Sequence, residues 1–75
     1  DVYKRQGYVL RNLRLNKGLT QKYIYKNLCS RKQLSRIENN TSYPSVYLLY
    51  YICQRLEVTT DYVISLTLER GNHAK

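Results

Sequence analysis

The chain has few of the residues from which metal centres and membrane segments are built. It carries one His and two Cys in 75 residues, and His73 lies in a polar stretch far from both Cys. A zinc site needs more ligands at closer spacing, so we expect no metal and no other cofactor. No apolar run approaches bilayer-spanning length and no signal peptide is visible. We therefore expect no membrane partner, a cytoplasmic location, and reduced thiols at Cys29 and Cys53 rather than a disulfide.

Acidic residues are also scarce, and they are unevenly placed. The formal net charge is +8, and no acid occurs between Asp1 and Glu38. That interval contains a long series of basic residues: Arg11, Arg14, Lys17, Lys22, Lys26, Arg31, Lys32 and Arg36. Ordinary soluble surfaces interleave both signs, whereas a one-signed surplus attracts a polyanion, either nucleic acid or an anionic membrane surface.

We interpret the first six residues as coming from a source other than the gene that encodes the rest of the chain. Asp1 to Gln6 is the translation of GAT GTG TAT AAG AGA CAG, which resembles a transposase adapter used in sequencing libraries. Chance rarely produces such an in-frame match at a terminus. We therefore expect residues 1–6 to be a non-native leader, 7–68 to form one domain, and 69–75 to be a flexible tail.

Apolar residues recur at helical spacing along the chain, and strand-like alternation is absent. The pattern predicts an all-α domain of five helices. Gly18 ends the first helix, and the hydroxyls of Thr20, Ser30 and Ser45 are expected to accept hydrogen bonds from first-turn amides. The expected helices run from about Gln6 to Asn16, from Thr20 to about Leu28, from Ser30 to Asn39-Asn40, from Ser45 to about Leu56, and from Thr59 or Thr60 to about Leu68.

The apolar stripes of these helices predict one shared core. Its expected members are Val9, Leu10, Leu13, Ile24, Leu28, Leu34, Ile37, Val46, Leu49, Ile52, Cys53 and Leu56. Only one or two residues are expected between the second and third helices, which must then pack at a steep angle because neither is stable alone. The exposed face of the third helix would project, as a helix that enters a major groove must.

Three sequence blocks carry a family resemblance. Gly18-Leu19-Thr20-Gln21, Leu34-Ser35-Arg36-Ile37-Glu38-Asn39 and Pro44-Ser45 resemble, in order and spacing, the phage-repressor (XRE) helix-turn-helix pattern, and the resemblance runs from Gly7 to Val63. It implies a compact five-helix, lambda-repressor-like domain. It also implies a bacterial or phage transcriptional regulator, such as a repressor, that binds a double-stranded DNA operator sequence-specifically as a homodimer, with residues 30–39 in the major groove.

A finer resemblance concerns the segment from Asn27 to Glu38. With Cys29 and a turn one residue shorter than the commonest form, it looks like the N-terminal DNA-binding domain of the Rgg- and PlcR-like peptide-pheromone-responsive regulators. That resemblance implies a C-terminal regulatory domain or a peptide ligand in the full-length protein. The chain departs from the XRE pattern at Tyr25, where a small residue is usual, and at Asn40, where Gly is usual. Tyr25 must either widen a helix crossing or point outward.

The resemblance and the exposed face of the third helix together predict the DNA contacts. An arginine can place two donors on the O6 and N7 of guanine, Ser35 can donate or accept, and Lys32 can instead touch phosphate alone. Family members use a Gln at the position of Gln21 to contact the DNA backbone and support the recognition helix. The candidate base contacts are Arg31, Lys32, Ser35 and Arg36, and the candidate backbone contacts are Gln21, Lys22, Thr20, Asn39, Tyr43 and Ser45.

Structural alternatives exist for several of these residues. Gln21 can be a plain exposed helix former, and Arg36 can form a surface ion pair with Glu38 or Glu57. Tyr43 can pack against the core instead of facing phosphate at the start of the fourth helix.

The fourth helix also carries more apolar surface than one core face needs, and the excess predicts an interface with a second subunit or a further domain. The residues of that excess are Leu48, Tyr47, Tyr50 and Tyr51.

Other functional classes fit the sequence less well. Nothing in it resembles the convergent polar groups of an active site, so we do not expect an enzyme. An antitoxin-type or other protein-interaction module of the same fold is the main alternative to a DNA-binding regulator. A cationic membrane-surface or RNA-binding peptide is disfavoured, because such peptides need no folded core.

Overall fold

The computed structural model describes residues 6–72, with side chains as far as Leu68. Within that span the chain forms five helices and no strand, which confirms the all-α prediction. The helices are α1 Gln6–Asn16, α2 Gln21–Tyr25, α3 Arg31–Glu38, α4 Val46–Arg55 and α5 Thr60–Asn72. Residues 1–5 of the predicted leader and 73–75 of the predicted tail lie outside the described part of the chain.

All five helices contribute to one apolar core. Helices of 5 to 13 residues are too short to be stable alone, so their stability comes from this shared burial. The predicted core is wrong at Val46, which is 80% exposed, because it lies one turn before Leu49, beyond the edge of the core. It is also wrong at Leu28, which is only partly buried and lies outside the core cluster. The buried apolar residues are Val9, Leu10, Ile24, Leu34, Ile37, Leu49, Ile52, Cys53, Leu56 and Val63.

The predicted N-caps are present. The hydroxyls of Thr20, Ser30 and Ser45 accept hydrogen bonds of 3.1 Å from the amides of the third residue beyond each. At α5 the capping hydroxyl belongs to Thr59, which accepts from the Tyr62 amide at 3.0 Å. The far end of α5 differs from the prediction, since the helix continues past Leu68 to Asn72.

The second helix is shorter than predicted, and the connection after it is longer. α2 ends at Tyr25 rather than Leu28, because Asn27 adopts a left-handed conformation with φ of 64°. Asn tolerates this conformation, which cannot continue a right-handed helix. The connection to α3 therefore covers residues 26–30, not one or two residues.

The end of α2 is held by a distant side chain. The Nη1 of Arg55, at the end of α4, donates to the carbonyl oxygens of Tyr23 (3.2 Å), Ile24 (3.4 Å) and Lys26 (2.6 Å). The last carbonyls of a helix lack partners within it, and a cation there is also favoured by the helix dipole. Arg55 thereby joins α4 to the point where α2 stops.

Helix α1 crosses the end of α3 at very short range. The Gly7 amide donates to the Asn40 side-chain oxygen at 3.0 Å, and a Cβ at position 7 would collide with the Ile37 carbonyl oxygen. Gly7 is therefore required by this close approach rather than by its own backbone conformation. Asn40 itself is left-handed, with φ of 62°, as expected of an Asn that ends a helix.

Tyr25, where the family pattern has a small residue, is half-buried and packs against the core. Its ring therefore does not point outward.

No helix within residues 6–72 has both the length and the apolar character needed to cross a membrane.

Candidate nucleic-acid interface

The exposed charges of the first four helices have one sign. From residue 6 to 56 the only acid is Glu38, and it is 3% exposed. Arg14 is also buried, at 8% exposure, so the expectation that it adds to the basic surface is wrong. The remaining exposed basic residues of this stretch are Arg11, Lys17, Lys22, Lys26, Arg31, Lys32 and Arg36. Such a surface attracts a polyanion.

A buried ion pair joins α1 to the end of α3. Arg14 Nε donates to Glu38 Oε2 at 2.7 Å, and Arg14 Nη2 donates to Glu38 Oε1 at 3.1 Å. The remaining Arg14 nitrogen donates to the Leu19 carbonyl at 2.8 Å, just before α2. This two-point pairing fixes both distance and angle, so the position of α3 relative to α1 is defined by polar geometry as well as by packing.

Gln21, at the start of α2, extends this network to the exposed side of α3. Its Nε2 donates to Glu38 Oε1 at 3.1 Å and to Ser35 Oγ at 3.3 Å. The side chain is partly buried, so it is not a plain exposed helix former. Both hydrogens of the amide are engaged inside the protein, and a phosphate contact from this residue is therefore best made by its main-chain amide in the first turn of α2. We call Arg14, Glu38 and Gln21 the polar clamp.

The outer face of α3 presents the predicted base-contacting side chains together. Arg31, Lys32 and Arg36 are exposed, and Ser35 is partly buried. Positions 31 and 35, like 32 and 36, are four residues apart and lie next to each other on the helix surface. Arg36 forms an ion pair with neither Glu38 nor Glu57, because among residues 6–68 it is Arg14 that pairs with the Glu38 carboxylate.

The starts of α2 and α4 flank α3 with polar and basic groups. Thr20 and Lys22 are exposed at α2, and Ser45 is exposed at α4. Tyr43 is 56% exposed, so the alternative in which its ring packs in the core is disfavoured. Asn39 is exposed at the end of α3. The first amides of α4 and its dipole favour an anion such as phosphate.

The two cysteines are free thiols in an apolar setting. Burial raises the pKa of the Cys29 thiol and raises the pKa of Cys53 to about 11. Neutral thiols are poor nucleophiles and poor metal ligands. Within residues 6–68, where side chains are described, no three or more His, Cys, Asp or Glu residues lie close enough together to hold a metal ion.

A patch of exposed side chains lies on α4, away from its core face. Tyr47 is 79% exposed, and Tyr50 and Tyr51 are each 48% exposed. The rings of Tyr50 and Tyr51 contact edge to face, with centroids 5.4 Å apart. Leu48 does not belong to this group as predicted, because it is partly buried against the core. We call Val46, Tyr47, Tyr50 and Tyr51 the α4 tyrosine patch.

The polar clamp as a unit was not predicted from the sequence, although one signal for it was present. Glu38 is the only acid in a basic stretch, and it follows Leu34 by four residues on the buried stripe of α3. A buried acid needs a charged partner, and Arg14 was counted instead among the surface cations. The contacts of Arg55 with α2 and of Gly7 with Asn40 had no local sequence signal.

Comparison with known proteins agrees with this geometry. The helix-turn-helix family matches the chain over residues 10–63, which include the polar clamp and the outer face of α3. Among solved structures, the chain is similar to a mutant of the restriction-modification controller protein C.Esp1396I, with a TM-score of 0.78 and 27% sequence identity. That match covers 92% of this chain and 89% of the other. No curated protein matches the chain.

Proposed function

The chain belongs to the helix-turn-helix family, and from this premise we propose that it is a transcriptional regulator that binds a specific double-stranded DNA operator. One observation carries the proposal. The outer face of α3 presents Arg31, Lys32 and Arg36 together, while buried polar contacts hold that helix in a fixed orientation. A basic helix face that is rigidly presented is what readout of base edges requires.

The dimensions of α3 fit the proposed role. An α-helix with its side chains is about 10–12 Å in diameter, and the major groove of B-DNA is about 12 Å wide, so the eight residues of α3 can lie in the groove. Arg31 and Arg36 would each place two donors on a guanine, with Lys32 and Ser35 adding single contacts to bases or phosphate. The register on the duplex would be set by backbone contacts from Thr20, Gln21, Lys22, Asn39, Tyr43 and Ser45.

The proposal includes a homodimer on a two-fold-related operator, in the cytoplasm, without enzymatic activity and without a membrane partner. A pair of recognition helices must lie about one DNA turn apart, roughly 34–36 Å, to occupy successive major grooves. The α4 tyrosine patch is an exposed apolar surface that offers burial for a second subunit. The domain limits 7–68 remain part of this proposal.

Two kinds of regulator fit the interface. The similarity in fold and sequence to a restriction-modification controller protein favours a controller of that class. The position of Cys29 in the connection before α3 favours an Rgg- or PlcR-like regulator that senses a peptide through a further domain. Sequencing the DNA upstream and downstream distinguishes them. Adjacent restriction and modification genes support the first, and a continuous reading frame for a C-terminal regulatory domain supports the second.

An antitoxin-type interaction module is the alternative from another class, and the α4 tyrosine patch is the observation that favours it. Such a module would bind a partner protein through Tyr47 and Tyr50. Enrichment of a defined duplex from a randomised DNA library supports the regulator. Absence of enrichment, together with tight binding of a protein through the patch, supports the alternative.

The direct test of the regulator separates base contacts from phosphate contacts. Arg31→Ala and Arg36→Ala should each cost about 1–3 kcal/mol on the selected duplex and much less on a scrambled duplex, because only a base contact depends on sequence. Lys22→Ala is the matched control. It should weaken binding to both duplexes equally and reduce the salt slope by about one.

Titration of both duplexes at several salt concentrations measures these quantities. Equal losses on the two duplexes for both arginine variants would show that these side chains are phosphate contacts. Specificity would then have to come from Lys32, Ser35 or DNA shape.

A further inference from the structure

Gln33 is an exposed residue in the first turn of α3 that the predicted DNA contacts leave out. On the basis of the proposed function, we propose that Gln33 is a further specificity-determining residue and that its side-chain amide reads an adenine in the operator. This adds an A·T pair to the guanines that Arg31 and Arg36 would contact.

The structural role that the sequence offers to Gln33 is only half realised. Ser30-Arg31-Lys32-Gln33 has the capping-box pattern, in which the Gln side chain returns to the amide of the cap residue. The main-chain amide of Gln33 does donate to Ser30 Oγ, at 3.1 Å. Its side chain, however, makes no hydrogen bond within residues 6–68. Both the oxygen and the NH2 of this exposed amide are therefore available to a ligand.

Gln33 also lies where a helix in the major groove makes its base contacts. A recognition helix contacts base edges through its N-terminal residues, and Gln33 is the third residue of α3. It adjoins Arg36, three residues later on the same side of the helix. Ser35, which Gln21 contacts, lies across the helix, because two residues turn an α-helix by about 200°. Gln33 is thus on the edge of the basic face that points away from α2.

The hydrogen-bonding groups of Gln33 favour a base over a phosphate. A Gln side chain is neutral and carries a donor and an acceptor on one planar group. A phosphate offers only acceptors, so it would engage the NH2 and leave the amide oxygen without a partner, which costs free energy in a desolvated contact.

Among the four bases, adenine matches both groups of the Gln33 amide. Its major-groove edge presents the N7 acceptor next to the N6 amino donor, and a Gln can bond to both at once. Guanine presents two acceptors there, cytosine an amino donor, and thymine one acceptor beside a methyl group. Gln33 should therefore prefer adenine at the base that it faces.

Selection from a randomised duplex library by the full chain, Gln33→Ala and Gln54→Ala measures the base preferences, with folding checked by circular dichroism. Gln33 is exposed, so its change to Ala should leave the fold intact. We expect Gln33→Ala to lose a preference for adenine at one base pair of each half-site, by about 5- to 150-fold, the discrimination of a bidentate contact. Gln54→Ala, the matched control at an exposed Gln of α4, should leave the base preferences unchanged.

Base analogues then test the two hydrogen bonds separately, without altering the protein. At the selected adenine, 7-deazaadenine lacks the N7 acceptor, and purine lacks the N6 amino donor. Each analogue should weaken binding of the full chain by about 2- to 10-fold, the range of a single hydrogen bond. Each should weaken binding of Gln33→Ala much less.

Gln33→Glu changes the hydrogen-bonding groups at nearly constant shape. A carboxylate cannot donate to the N7 of adenine, and it can accept from the amino group of cytosine. The preference at that base pair should therefore fall for adenine and rise for cytosine. Retention of the adenine preference by this variant would overturn the proposal.

Other results would also overturn it. One is an equal loss of affinity by Gln33→Ala on the enriched duplex and on a scrambled duplex, which indicates a phosphate contact. Others are a Gln33-dependent preference for a base other than adenine, insensitivity of the full chain to either analogue, and a Gln33→Ala profile equal to that of the full chain. Absence of any enriched duplex contradicts the proposed function itself, which is a different result.

Discussion

The first three helices of this small domain are positioned by a different kind of interaction from the last two. In the first part, α1 to α3, helix positions depend on polar contacts at defined distances: Arg14 with Glu38, Gln21 with Ser35, and Gly7 with Asn40. In the second part, α4 and α5, the buried residues are almost all apolar, and Arg55 supplies the polar contact with the end of α2. The exposed acids Glu57 and Asp61 also lie in this part, between α4 and α5 and in the first turn of α5.

This difference agrees with the proposed function, in which the first part of the domain presents the DNA-binding helix. Apolar contacts are tolerant of small shifts, whereas a bidentate ion pair and a glycine contact are satisfied in only one arrangement. Reading bases requires side chains to be placed within a fraction of an ångström. The part with directional contacts therefore presents the recognition helix, and the apolar part mainly supplies burial.

The largest effect is expected from breaking the polar clamp. Glu38→Ala leaves Arg14 as an unpaired buried cation and should lower the free energy of unfolding by about 3–5 kcal/mol. Ile52→Val, a buried change in α4, is the control and should cost only about 0.5–1.5 kcal/mol. Urea denaturation measures both. A Glu38→Ala cost no larger than that of Ile52→Val would contradict the distinction between the two parts.

A smaller effect is expected at the crossing of α1 and α3. Gly7→Ala places a methyl group against the Ile37 carbonyl, and the forced backbone shift should cost about 1–3 kcal/mol. Gly18→Ala provides the contrast, because a Cβ there meets nothing within 4 Å but φ is +70°, and its left-handed backbone should cost about 1–2 kcal/mol. Gly7→Ala should displace α3, whereas Gly18→Ala should not. When folded protein is titrated with the operator, only Gly7→Ala should therefore weaken binding. Equal binding by the two variants would argue against a role for this crossing.

The smallest effect on stability is expected at the α4 tyrosine patch. Tyr47→Ser combined with Tyr50→Ser should change the free energy of unfolding by no more than about 0.5 kcal/mol per site, because both rings are largely outside the core. The same variant should weaken self-association. Sedimentation velocity measures this, and a chain that is monomeric at all concentrations, before and after the change, removes the support for an interface on α4.

Local features of the fold could be predicted from the sequence, since their causes lie within a few residues. The caps at Thr20, Ser30 and Ser45 and the stop at Gly18 are of this kind, because each depends on one side chain and the nearest turn of helix. The outer face of α3 was predictable for the same reason: Leu34 and Ile37 fix which side of the helix is buried.

Features that depend on distant partners were not predictable in this way. The carbonyls at the end of α2 accept hydrogen bonds from Arg55, which lies about thirty residues away in the sequence. Arg14 and Glu38 are 24 residues apart, so neither charge signals by itself that it is buried. Val46 fits the apolar stripe of α4, and only the limits of the packed core show that it is exposed.

We propose that DNA contacts the first part of the domain together with the residues that lead into α4. This can be measured by titrating the selected duplex into isotopically labelled protein and following the amide chemical shifts. We expect the largest changes on residues 20–22, 30–39 and 43–45 and little change on residues 57–68, with a scrambled duplex producing smaller shifts on α3. Changes concentrated on residues 57–68 or on the α4 tyrosine patch, with α3 unaffected, would contradict it.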